Sequence, residues 1–345
     1  VTSWPPLLVR CDAGGDHGLG HLMRCLALAE ALRAAGGPVA RFCLQAPDAI
    51  VQRVRDAGFS VQVSARQAGR DCDDLVLWCQ QNSADGLPWV VLDGKSADPA
   101  LLSPLAEASR LICYDDAPYR DFPAAVIINA QPWTSATDYP LRAGRLVLAG
   151  GQYNSIHPGY FAAADRPARS AVLITLGGED PANDTAWIAR TLADELRGFP
   201  VLAVIGPAHP DRTAACAALT RFLPQSEIIH APPSLIPVAE RSFLALSAGG
   251  TSCYELQAAG IAVAAIAVEE HQVPFVAALE RLGGVVPLAG PAPTTGDRPV
   301  TGPRAILHRL LHDREWRNER IARGRALFPA PGGQTLARVL MEHLR

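Results

Sequence analysis

Residues 7–32 read "LLVRCDAGGDHGLGHLMRCLALAEAL". An apolar run of strand length gives way to a loop with four glycines and two histidines, His17 and His21, and then to an apolar helix. Strand, tight turn and helix in that order build parallel sheets covered by helices. The glycines allow a sharp turn and let a ligand approach the main chain. The helix that follows offers free N–H groups and a partial positive charge to an anion. It stops at Gly36–Pro38, a helix-ending signal.

The same alternation runs outward from this stretch. In the first half the strand candidates are "LLVRCDA", "VARFCL", "SVQVS", "WVVLD", "RLICYDD", "AAVIINA" and "RLVLAG", with helices expected at 21–35, 47–57, 70–82 and 99–109. Residues 150–169 lack periodicity and read as a linker. The pattern then restarts with "AVLITLGG", "VLAVIG", "EIIHA", "FLALSAGG" and "VAAIAV". Helices are expected among them at 184–196, 209–219, 234–241 and 252–259, and after them at 271–282, 302–312, 314–326 and 333–344. "LAGPAPTTGDRPVTG" reads as a surface loop. The fold class is therefore α/β, two Rossmann-like domains facing across a cleft. Domains are expected at 1–160 and 161–330, followed by a last helix within 331–345. Closure about the linker is expected of such a pair.

At 345 residues the chain is long for a single core. A net charge of −3 makes no electrostatic case for nucleic acid or an anionic membrane. No apolar run nears the roughly 20 residues that span a bilayer. "VTSWPPLLVR" is not the basic-then-apolar pattern of a secretory signal. Eight cysteines at 11, 25, 43, 72, 79, 113, 216 and 253 make no CxxC pair and read as buried thiols of a reducing, cytoplasmic compartment. No metal or other cofactor is expected, and the chain is expected to be a monomer or weak homo-oligomer.

Three glycine-rich turns fall where strands lead into helices: "DAGGDHGLGH", "LGGEDPAND" (176–184) and "SAGGTSCYE" (247–255). Such turns cradle phosphates. The first reads Gly15-x-x-Gly18-x-Gly20, which is not the dinucleotide fingerprint, and no lysine follows any of them as in a Walker loop. In the third, Ser247, Thr251 and Ser252 add hydroxyls to the N–H groups of Gly249 and Gly250. Glu255 stands one turn into the helix, where it fits either a ribose diol or the N3 partner of a capping box. His21, at the mouth of a buried helix, is the candidate general base, with an ordinary helix-end histidine as the alternative and His17 as the rival. Asp12, Asp93, Asp115 and Asp116 end strands and are expected to project together toward one crevice edge. Lys95, the only lysine, suits either a tunable amine or solvated surface.

The ordered series "DAGGDHGLGHLMRCLALAEAL", "LDGKSAD", "YDDAPYRDFPAAVIINAQ", "LGGEDPANDT", "IGPAHP", "SAGGTSCYELQAAGI" and "AVEEHQ" resembles the nucleotide-sugar hydrolases of pseudaminic acid biosynthesis, from about residue 7 to 285. The resemblance implies a GT-B-like fold and release of UDP from UDP-2,4-diacetamido-2,4,6-trideoxy-β-L-altropyranose, or a related sugar, with inversion and without metal. It places the base at His21 and implies that the last helix, 331–345, packs back on the first domain. It implies substrate contacts at Asp12, Gly18, Gly20, Asp93, Lys95, Asn129, Gly177, Gly178, Gly249, Gly250, Thr251, Ser252, Glu255, His271 and Gln272. The chain departs from that family at Lys95, often aromatic there, at Gln152 and His157, often arginines, and at His271, usually asparagine. The alternatives are a GT-B glycosyltransferase with a UDP-sugar donor and a catalytically silent nucleotide-sugar binder.

Overall fold

A computed structural model describes residues 4–14, 20–84, 86–94, 97–116, 120–164, 169–293 and 300–344. The chain divides into two compact units, Val1–Ile156 with Ala330–Arg345, and His157–Pro329.

The first unit runs β1 (Leu7–Asp12), α1 (Gly20–Ala34), β2 (Ala40–Gln45), α2 (Asp48–Asp56), β3 (Ser60–Val63), α3 (Cys72–Gln81), β4 (Trp89–Asp93), α4 (Ser103–Ala108), β5 (Arg110–Tyr114), β6 (Val126–Asn129) and β7 (Leu146–Ala149). The strands form a parallel sheet in the order β3-β2-β1-β4-β5-β6-β7. β1 is buried along its whole length, as a central strand covered on both faces must be. Its side chains alternate. Leu7, Val9 and Cys11 join the core formed with α1, while Leu8 joins the core beneath α3 and α4.

Arg10, on the same face as Leu8, is fully buried inside this strand. Its guanidinium donates to Asp71 at 2.6 Å, to Asp12 at 2.7 Å and to the carbonyl of Cys11 at 2.8 Å. The strand read as simply apolar thus carries an internal ion cluster, stabilised by hydrogen bonds that offset the burial of its charges.

The second unit begins with α5 (Pro158–Ala163), inside the segment expected to be an irregular linker. It continues β8 (Ala171–Thr175), α6 (Asp184–Thr191), α7 (Ala193–Leu196), β9 (Val201–Ile205), α8 (Arg212–Phe222), β10 (Ser226–His230), α9 (Ile236–Ala239), β11 (Ser242–Ala248), α10 (Ser252–Ala258), β12 (Ala262–Ile266), α11 (Val273–Arg281), β13 (Val286–Ala289), α12 (Thr301–His312) and α13 (Arg314–Leu327). Its parallel sheet has the order β10-β9-β8-β11-β12-β13. β13 lies where a loop was expected from Leu288 onward. Pro287 has no N–H to give a ladder, and an edge strand tolerates that. The last helix, α14 (Gly332–His343), belongs to the first unit, where Leu336 and Leu340 pack into the core that α1 covers.

In each sheet the strand order reverses once, between β1 and β4 and between β8 and β11. Side chains just beyond the carboxyl ends of those strand pairs meet in a ready-made crevice.

Candidate active site

In the first unit the reversal point brings the end of β4 against the first turn of α1. Asp93, fully buried, closes β4, and His21 and Arg24 stand three residues apart on one face of α1. His21 Nδ1 lies 2.6 Å from Asp93 Oδ1. Arg24 forks onto the same carboxylate, Nε to Oδ2 and Nη2 to Oδ1, both at 2.6 Å. It forks again onto Asp116, just past β5, Nη1 to Oδ1 at 2.6 Å and Nη2 to Oδ2 at 2.9 Å. Its face rests on the Tyr114 ring, 4.6 Å from the centroid.

Burial works against the charge on Asp93, but Arg24 and then His21 more than offset it, holding the carboxyl well below the usual carboxylate range. Asp93 is therefore an ionised acceptor, and the short contact requires a proton on His21 Nδ1. In the neutral imidazole Nε2 then carries the lone pair. Among the described residues no hydrogen-bond partner takes that nitrogen. An imidazole so oriented, with a 10% exposed side chain, can remove a proton from an oxygen nucleophile.

The expectation that four strand-end aspartates share one crevice edge fails for two of them. Asp12 accepts from Arg10 at 2.7 Å and from the Ala68 N–H at 2.8 Å, so both its oxygens serve the interior cluster. Asp115 accepts from Arg120 at 2.7 Å and from the Tyr139 hydroxyl at 2.8 Å. Asn129 donates to the same hydroxyl at 2.8 Å and accepts from the Gln131 N–H. Gly20 opens α1 beside His21. Gly18, Lys95 and His17 lie outside the described residues. Gln152 donates to the Ala149 carbonyl, and His157 accepts from the Gly159 N–H to cap α5.

In the second unit the glycine turn after β8 is locked to the turn after β9. Gly177 has φ +84°, and a Cβ on Gly206 would stand 2.3 Å from the carbonyl oxygens of Gly177 and Gly178. The start of α6 is not open to an anion. Buried Asp180 accepts from the N–H groups of Asp184 and Thr185 at 2.7 and 2.9 Å, and Asn183 accepts from Ala186.

The turn after β11 differs. The N–H groups of Gly249 and Gly250, expected to face a phosphate, donate instead to Ile266 and Ala248 carbonyls at 2.7 and 2.8 Å. Buried Ser247 donates to Ala248. The N–H groups of Thr251 and Ser252 have no partner among the described residues. No side chain caps α10, so the capping box does not form. Half-buried Glu255 instead meets the hydroxyl of buried Tyr160 from α5, and burial raises its carboxyl to about 7 against the lowering effect of that hydrogen bond. Gln272 is fixed by the Val268 N–H at 3.1 Å and packs where Gly249 has no side chain, whereas His271 is exposed, 3.8 Å from Glu269.

Sequence reasoning missed Arg24 and Tyr160. Arg24 was legible as the charged side chain one turn from His21, with Leu22, Met23, Cys25 and Leu26 around it and the helix's other charges, Glu30 and Arg33, farther on. Tyr160 was not, because its partner lies 95 residues away (255 − 160) on another element. Among the described residues no group of three or more His, Cys, Asp or Glu side chains is placed to hold a metal, and no helix is long and apolar enough to cross a membrane.

No family model matches the chain, and no curated protein matches its sequence. Solved structures do resemble it. Acinetobacter baumannii MurG is 15% identical, with 98% of this chain and 100% of that one covered and a TM-score of 0.64. The calicheamicin glycosyltransferase CalG4 is 16% identical, with 99% and 98% covered and a TM-score of 0.63. The UDP-GlcNAc 2-epimerase of Neisseria meningitidis, solved with UDP-GlcNAc bound, is 11% identical, with 98% and 100% covered and a TM-score of 0.59. At such identities the likeness is one of fold. The chain has a GT-B-like architecture of two Rossmann-like, parallel-sheet α/β domains.

Proposed function

We propose that the protein is an enzyme acting on a UDP-sugar, and that it breaks the bond between the anomeric carbon and UDP with an oxygen nucleophile that His21 deprotonates. The observation that carries this reading is the Asp93–His21 pair, which engages Nδ1 and, in the neutral imidazole, leaves Nε2 as the acceptor. The nucleophile attacks the anomeric carbon from the face opposite UDP and gives its proton to Nε2. The electrons of the broken C–O bond leave on the diphosphate, so the configuration inverts. Asp93 orients the base. Asp12 and Asn129, expected on the sugar, serve the interior instead, while Gly18, Gly20 and Lys95 remain assigned to the sugar side.

The second unit is assigned the nucleotide. The N–H groups of Thr251 and Ser252 meet the diphosphate and receive its growing charge. Glu255 accepts from the ribose diol, with Gln272 and His271 beside it. Gly177 and Gly178, lacking side chains, let the nucleotide approach.

Two nucleophiles fit one base. The solved neighbours support an acceptor hydroxyl, since the calicheamicin enzyme is a glycosyltransferase. The ordered motif series supports water and a diacetamido sugar. The deciding experiment measures UDP release from UDP-GlcNAc and UDP-diacetamido sugars, with and without a panel of acceptor alcohols. Release from sugar alone establishes the hydrolase. Release only with an acceptor establishes the transferase. Binding of UDP without release under either condition rejects both.

A further inference from the structure

We infer that Arg24 is a positioning residue for the base: its double fork onto Asp93 and Asp116 holds His21 in the Nδ1–H tautomer. The inference rests on the proposed role of His21, but its first test needs no substrate.

The hydrogen count carries it. A guanidinium has five N–H groups. Arg24 places one from Nε and one from Nη2 on Asp93, and one from Nη1 and one from Nη2 on Asp116. Both hydrogens of Nη2 are therefore committed to carboxylates. Yet Nη2 stands 3.1 Å from His21 Nδ1. Nη2 can give Nδ1 at most a share of a hydrogen that already serves a carboxylate, and Nδ1, 2.6 Å from an ionised oxygen, presents its own hydrogen to Asp93 Oδ1. The flipped tautomer, with Nδ1 bare, would face an ionised oxygen at 2.6 Å. Arg24 thus selects the tautomer by fixing the plane of Asp93 and filling its second oxygen.

The same side chain ties the dyad to a second strand. Asp116 is 43% exposed and Arg24 21%, so this outer fork is the one solvent reaches. Around the imidazole stand Asp93 from β4, Arg24 and Cys25 from α1, and, through Arg24, Asp116 and Tyr114 from β5 and its end. The three ionised groups sum to −1, and the proton that Nε2 takes from the nucleophile brings the cluster to zero. A lysine keeps the charge but has three N–H donors and no planar fork, so it cannot reproduce the four contacts that fix both carboxylates.

The test is ¹⁵N and ¹H NMR of His21 in the free protein, in wild type, Arg24→Lys, Arg24→Gln and Asp116→Asn, with folding checked by circular dichroism. Wild type is expected to show one tautomer with a low-field Nδ1–H signal. Arg24→Lys is expected to lose that signal or show mixed tautomers, and Asp116→Asn to broaden it. If Arg24→Gln does not fold, Arg24→Lys and Asp116→Asn carry the test. An unchanged tautomer in folded Arg24→Lys overturns the inference. With a productive UDP-sugar, Arg24→Lys should lower kcat 10- to 100-fold and leave KM within twofold, whereas a KM change with kcat intact also overturns it. If wild type turns over no UDP-sugar, the functional reading fails while the NMR result still judges Arg24.

Discussion

Asp93 Oδ1 lies 2.6 Å from His21 Nδ1, joining the end of one strand to the first turn of a helix 72 residues earlier (93 − 21). The join sits where the strand order of the first sheet reverses, so topology brings the pair together and the carboxylate sets which nitrogen faces outward. His21→Ala should lower turnover by about 10²- to 10⁴-fold, the usual contribution of a general base, with UDP affinity unchanged in a calorimetric titration.

Asp93→Asn tests orientation separately from the imidazole itself. An amide can face Nδ1 with either its oxygen or its nitrogen, so both tautomers become available. Turnover should fall by about 10²-fold or more with the fold retained, since Arg24 keeps Asp116 as a partner. Steady-state kinetics with KM and kcat separated provide the check.

If Glu255 holds the ribose as proposed, its raised carboxyl makes UDP binding depend on pH. Burial lifts its carboxyl to about 7 from an ordinary 4.5, with Tyr160 opposing. Ribose hydroxyls donate best to the ionised form, so UDP should bind about tenfold more weakly at pH 6 than at pH 8. Between about pH 4.5 and 7 the folded chain also keeps this proton while the unfolded chain releases it. Stability should therefore fall as pH rises from about 4.5 to 7 and level off above. Glu255→Gln should remove that slope in urea melts and flatten the affinity profile.

Arg10 predicts a purely structural effect. Replacing it with Leu leaves Asp12 and Asp71 buried without their cation and should cost about 3–5 kcal/mol by urea denaturation. Adding Asp71→Asn should recover part of the loss, because one stranded charge is gone.

Gly206 lets the turns after β8 and β9 approach each other closely. An alanine there puts its Cβ 2.3 Å from two carbonyl oxygens, and relief requires the Gly177–Gly178 turn to shift. A loss of about 1–3 kcal/mol in stability is expected, with weaker UDP binding by calorimetry.

The alternation of apolar runs and glycine turns was enough to read the α/β class, because buried parallel strands and amphipathic helices leave strong periodic signals. β13 was hidden by Pro287, which is tolerated only because that strand forms an edge. The base candidate was legible from its glycine loop, but its partners were not. Asp12, Asp93 and Asp115 all end parallel strands, and only side-chain packing decides that Asp93 meets His21 while Asp12 turns to Arg10 and Asp115 to Arg120. The open N–H groups expected at Gly249 and Gly250 lie two residues further on for a similar reason. Gly249 and Gly250 extend the local backbone bonding of β11, and the open N–H groups fall to Thr251 and Ser252.

The most direct measurement follows wild type and His21→Ala by ³¹P and ¹H NMR with a UDP-sugar that wild type turns over. The account predicts UDP release with a product of inverted anomeric configuration from wild type, and binding without release from the variant. A product of retained configuration, or release from His21→Ala at the wild-type rate, would contradict it.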